Sequence, residues 1–127
     1  MVQIGPGLVL TIEVEPDDDE GTLARMAHRV LTLRCFDGPQ GQLSSSVQEM
    51  HGEILSIPQP LTTLRRSAVG RPQLVSHDAD DEHANLIWIR FNEALRSGDV
   101  PVCEGRFGAR MRVGSVADGP FQFTLQE

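Results

Sequence analysis

Lysine is absent from this chain: all eleven basic residues are arginine. That excludes a Schiff-base lysine and a P-loop lysine, and leaves guanidinium groups, which suit phosphate contacts. Cysteine is scarce. Cys35 and Cys103 lie far apart and outside any Cys-x-x-Cys motif, which argues against a disulfide framework and for buried free thiols. No apolar run approaches the length that spans a bilayer. The longest, Leu8–Val14 and Val116–Leu125, are broken by polar residues or glycine. The opening Met1-Val2-Gln3-Ile4-Gly5 carries no basic segment followed by a long apolar one, so no signal peptide is expected and the expected location is cytoplasmic, with no membrane partner. Excess positive charge is missing too. The net charge is −7, the wrong balance for a generic nucleic-acid binder, and DNA is not an expected partner. Several enzyme signatures are also absent: there is no Gly-x-Ser-x-Gly elbow, no dinucleotide-binding glycine fingerprint and no P-loop.

What is present is enough for one core. The chain has 127 residues, 39% of them hydrophobic, which fits a single domain over 1–127 and not two. A charged fraction of 23% argues against disorder. Leu8, Leu10, Ile12 and Val14 alternate with polar residues and predict a strand over Gly7–Val14. Pro16 ends it, and Asp17-Asp18-Asp19-Glu20 opens a helix by capping free backbone N–H groups. Leu23, Met26, Ala27, Val30 and Leu31 follow at helical spacing, with His28 and Arg29 in the last turn. A second strand is expected out of Leu31–Phe36, a turn at Asp37-Gly38-Pro39-Gln40-Gly41, a short edge strand at Leu43–Val47, and a buried strand at Gly52–Ile57.

Residues 58–77 show no period and read as one long loop carrying Arg65, Arg66 and Arg71. A second helix is expected from about Asp80 to Ser97, with Ala84, Ile87, Trp88, Phe91 and Leu95 on its apolar face and Gly98 as its stop. Strands at Val102–Phe107 and Arg110–Val116, joined around Gly108, and a last strand through Phe121, Phe123 and Leu125 complete the order. The class is α/β.

Two segments invite a chemical reading. His77-Asp78-Ala79-Asp80-Asp81-Glu82-His83 holds metal-ligand side chains, but its spacing matches no standard motif, and acidic residues belong at a helix start anyway. Capping is the favoured reading, and neither a metal nor a cofactor is expected. Gly119-Pro120 is either an ordinary turn or a cis peptide placed for a purpose. The arginines group as Arg65, Arg66 and Arg71, and as Arg106, Arg110 and Arg112. A local basic face on an acidic protein and plain solvated surface both remain open.

Taken in order, these pieces resemble the D-aminoacyl-tRNA deacylase family over nearly the whole chain. Ile4-Gly5-Pro6-Gly7-Leu8-Val9-Leu10 is similar to the family's Ile-Gly-x-Gly-Leu strand. Val14–Glu20 resembles its strand-to-helix turn, and Arg29-Val30-Leu31 with Arg34-Cys35-Phe36 resembles its Arg-Val-Leu-x-x-Arg-x-Phe. Gly105–Met111 resembles Gly-x-Phe-Gly-Ala-x-Met, and Asp118-Gly119-Pro120 falls where the family has Asn-x-Gly-Pro-x-Thr. The resemblance implies a homodimer with a curved, barrel-like mixed β-sheet and two helices. It implies hydrolysis of the ester joining a D-amino acid to the 3′ adenosine of tRNA, without a catalytic triad, by an oxyanion hole and positioning. Gly119 and Pro120, reaching into the partner's pocket, would form the chirality filter. Gln59, Pro60 and Leu61 would form the catalytic segment, Arg71 and Pro72 would contact the terminal adenosine, and Phe107 would lie beside the pocket.

The chain departs from the family in its pocket. It reads Pro58-Gln59-Pro60-Leu61-Thr62 where the family has Ser-Gln-Phe-Thr-Leu, and Pro60 has no N–H to give. Phe121-Gln122 stands where a Thr is expected, and Leu74 takes the place of an aromatic residue. Met1 falls near the end of the family's first β-hairpin, so that hairpin is expected to be missing. The alternative implied by these departures is an inactive relative that keeps the fold and acts as a binding protein.

Overall fold

The computed structural model describes residues 2–59, 62–66, 72–76, 81–106, 111–117 and 122–127, with the backbone alone at 62–66, 72–76 and 81. The first strand, β1 (Gly7–Ile12), runs into α1 (Glu20–Thr32). Asp19 caps that helix: its carboxylate accepts the Thr22 N–H at 2.9 Å. The Thr22 amide, and after it the Thr22 hydroxyl, hold the Asp19 pKa below the usual carboxylate range. Leu23, Ala27, Val30 and Leu31 are buried as the helical spacing required, and Met26 packs beside them.

After α1 come β2 (Phe36–Gly38) and β3 (Gly41–Ser45), an antiparallel pair. The chain passes from helix to second strand within Leu31–Phe36, as expected, with the strand starting at Phe36, and the turn narrows to Pro39-Gln40. Leu43 sits at φ 50°, and its N–H is held by the Asp37 carboxylate. A tight turn, Val47–His51, leads to β4 (Glu53–Pro58). It is closed by a reciprocal pair: the Ser46 N–H donates to Glu49 at 3.0 Å, and the Glu49 N–H donates to the Ser46 hydroxyl at 3.2 Å. The same two Ser46 groups, and then Arg34, lower the Glu49 pKa.

The expected loop over 58–77 is corrected. It contains β5 (Thr62–Arg66) and β6 (Pro72–Ser76), paired antiparallel from Thr62↔Ser76 to Arg66↔Pro72. A two-stranded ribbon outside the main sheet is held by backbone pairing, so nothing forces alternation on its sequence. Then α2 (Asp81–Arg96) buries Ala84, Ile87, Trp88, Phe91 and Leu95. Gly98 donates to the Leu95 carbonyl, but the left-handed residue that ends the helix is Asp99, at φ 60°.

Among the described residues the last strand is β7 (Val102–Glu104), shorter than the expected Val102–Phe107. The strands expected through 111–116 and 123–125 are not formed over 111–117 and 122–127. Apolar alternation alone does not make a strand without a ladder to join, and Val113 and Val116 are exposed. The cysteines are free, but each is half-buried, not buried; partial burial raises the Cys35 pKa.

The main sheet is parallel, in the order β1-β4-β7, and the two antiparallel pairs form separate sheets among the described residues. Register builds the core in layers. Leu8, Ile54 and Val102 align across the sheet and are apolar; Leu10, Ser56 and Glu104 align next. Ile54 is fully buried, and α1 and α2 pack on each other and on this sheet. Each such side chain contributes about 1.5–3 kcal/mol on burial. At Gly7 an added Cβ would overlap the Glu53 carbonyl, so glycine lets β1 approach β4.

Candidate active site

Because β1, β4 and β7 point the same way, their carboxyl ends open on one edge. In parallel sheets that edge is where ligands bind. Glu13–Glu15 leave β1 there, Gln59 leaves β4, and Gly105-Arg106 leave β7. Two backbone hydrogen bonds prolong the ladder beyond the strands. The Gln59 N–H donates to the Ile12 carbonyl at 2.9 Å, and the Gly105 N–H donates to the Ser56 carbonyl at 2.8 Å. The Gln59 side chain is exposed.

A groove of about 500 Å³ opens beside this edge. Leu23, Met26, Trp88 and Phe91 line its floor; Gln59 and the 122–127 segment line its rim. That segment is tied to α1. Arg25 Nε meets Glu127 at 3.2 Å, and Arg29 donates to the Gln126 carbonyl at 2.6 Å and to Glu127 at 3.2 Å. The Arg25 hydrogen bond, then that of Arg29, lowers the Glu127 pKa. Arg106 and Arg112 are exposed.

Of the site residues that the family resemblance assigned, the structure describes two. Gln59 stands at the edge, with its N–H committed to Ile12. Pro72 opens β6 opposite Arg66. Pro60, Leu61, Arg71, Phe107, Gly119 and Pro120 lie outside the described residues. No group of three His, Cys, Asp or Glu side chains poised for a metal occurs among the described residues, and no described helix is long and apolar enough to cross a membrane.

Sequence reading missed a buried polar chain behind the edge. The Ser56 hydroxyl donates to Asn92 Oδ1 at 2.6 Å and accepts the Trp88 indole N–H at 2.9 Å. Asn92 Nδ2 donates to Glu104 at 3.1 Å, and Arg96 reaches the same carboxylate at 3.0 Å. The signal was available: a serine interrupts Ile54-Leu55-Ser56-Ile57, and Asn92 falls on the apolar stripe of α2, four residues after Trp88.

Comparison with known proteins gives a consistent answer. The family model described as D-Tyr-tRNA(Tyr) deacylase matches residues 1–126. The D-aminoacyl-tRNA deacylase of Bifidobacterium longum subsp. infantis is 49% identical over 123 residues, 97% of this chain and 75% of the relative. That of Deinococcus radiodurans is 36% identical over 123 residues, covering 97% and 84%. Among solved structures, the c-Myc DNA Unwinding Element Binding Protein superposes with a TM-score of 0.77 at 28% identity, covering 93% of this chain and 80% of that one.

Proposed function

This chain belongs to the D-Tyr-tRNA(Tyr) deacylase family, and from that premise we propose that it hydrolyses the ester of D-aminoacyl-tRNA, releasing the D-amino acid and free tRNA. The observation that carries the proposal is the match over residues 1–126, the whole α/β unit with its carboxyl edge. The reaction in this reading needs no catalytic triad, because positioning and oxyanion stabilisation supply the rate.

The arrangement of donors narrows the site. Gln59 spends its N–H on Ile12, and Pro60 has none. Leu61 carries the next backbone N–H in this segment, and we assign it to the reacting carbonyl. Gln59 then acts through its side-chain amide at the groove rim. Gly119 and Pro120 of the partner subunit close the pocket against an L side chain. Arg71 and Pro72 hold the terminal adenosine, and Phe107 borders the pocket. In this reading the protein is a cytoplasmic homodimer that binds the aminoacyl-tRNA 3′ end, and its sheets curve toward a barrel.

The test is turnover of D-aminoacyl-tRNA by purified wild type and by Gly119→Ala. Wild type should release the D-amino acid. The variant should fold and sediment as wild type while losing at least about a hundredfold in rate, since an added methyl crowds the pocket. Undiminished turnover by Gly119→Ala removes the Gly-Pro filter from the account. No turnover by folded wild type favours the binding-protein alternative.

A further inference from the structure

We propose that the buried Ser56–Asn92–Trp88 chain is a positioning device for the carboxyl edge, and that Ser56 and Asn92 are positioning residues for the deacylase reaction; this rests on the function proposed above. Both side chains are fully buried, at 0% exposure. Buried polar groups add little net stability over an apolar pair of the same shape, but their bonds are directional. Dispersion contacts tolerate sliding between a strand and a helix, whereas a hydroxyl that donates to Asn92 and accepts from Trp88 fixes one register.

The chain also spans the elements that deliver the edge. Ser56 lies on β4, three residues before Gln59, and its carbonyl holds the Gly105 N–H. Asn92 lies on α2 and reaches Glu104, the last residue of β7. Arg96 fastens the same strand through Glu104 and the Val102 carbonyl. Trp88 joins the network to the groove, which it also lines. One hydrogen-bonded unit thus sets how far β4 and β7 project, and with them Gln59 and Gly105-Arg106. The corresponding layer toward the amino edge, Leu8, Ile54 and Val102, is apolar.

The test compares Ser56→Ala and Asn92→Leu with Val47→Ala, a core truncation beside the amino end of β4. Melting temperature, kcat and KM are measured for each. Ser56→Ala and Asn92→Leu should each lower kcat about tenfold with KM held within about twofold, because a misplaced edge spoils the reacting geometry more than binding. Val47→Ala should lose at least as much melting temperature yet keep kcat within about twofold at 25 °C. Unchanged kcat in both network variants, an equal loss in Val47→Ala, or failure of both network variants to fold would overturn the proposal. A wild type without turnover would sink the functional reading alone. Positioning is then decided by amide exchange. Faster exchange at Gln59 and Gly105 in Ser56→Ala, but not in Val47→Ala, supports it, and equal rates overturn it.

Discussion

Backbone hydrogen bonds hold β4 at both ends; the amino end adds apolar packing, and the carboxyl end adds a buried side-chain polar network. The amino end places Val47 and Ile54 at 0% exposure. Its amides are taken by neighbouring chain: Glu53 donates to Pro6, Ile54 to Pro101 and Gly52 to Val47, at 2.9–3.1 Å. Gln48 adds a bond to the Gly98 carbonyl. The carboxyl end carries Ser56, Ile57 and Pro58, followed by an exposed glutamine. The difference separates an end that supplies stability from an end that supplies geometry, within one six-residue strand.

The comparison is broken most sharply by attacking the segment that leaves the carboxyl end. Leu61→Pro removes the N–H assigned to the reacting carbonyl. It should cost roughly two to three orders of magnitude in kcat, the cost of one oxyanion donor, with the circular dichroism spectrum unchanged. Wild-type turnover by this variant would move the donor elsewhere. At the amino end the expected loss is of folding free energy. Val47→Ala should destabilise by about 2 kcal/mol, lowering Tm by roughly 8 °C. A Tm within about 1 °C of wild type would mean that this end relaxes around the cavity. Gly7→Ala should destabilise comparably, because the methyl meets the backbone of Glu53 and not a movable side chain; chemical denaturation would show it as a lower midpoint.

Much of this architecture is legible in the sequence, and the exceptions follow from physics. Both helices announce themselves because one stripe of each is buried against a single core, and the Asp run before Leu23 marks the start of α1. β1 and β4 are legible because their alternation is enforced by α1 and α2 on one face. The β5–β6 ribbon is not, since its pairing rests on backbone hydrogen bonds. The terminal alternation at Phe121, Phe123 and Leu125 misleads in the opposite sense. Leu125 packs on the core, but burial of one side chain does not supply a strand partner. Gln59 comes from family resemblance, not from pattern. Ser56 and Asn92 escape because one polar residue in an apolar stripe carries no partner's address; the fold alone brings them within 2.6 Å.

Smaller effects sharpen the contrast at the rim. Glu127 has a lowered pKa through Arg25 and Arg29, so its contribution to docking the 122–127 segment is complete above the usual carboxylate range and is lost as pH falls through and below it. Limited proteolysis near Phe123 should quicken at acid pH, and Glu127→Gln should remove most of that pH dependence. Rates that ignore both changes would mean that Glu127 does not help to hold the segment. Asp19→Ala should lower Tm by only a few degrees through the lost cap.

The central claim is that this edge hydrolyses aminoacyl-tRNA with a preference set by chirality. It is met most directly by incubating the purified protein with D- and L-aminoacyl-tRNA in one tube, each amino acid carrying a different label. The account predicts release of the D label with the L ester intact. Release of both at equal rates, or of neither by a folded protein, would contradict it.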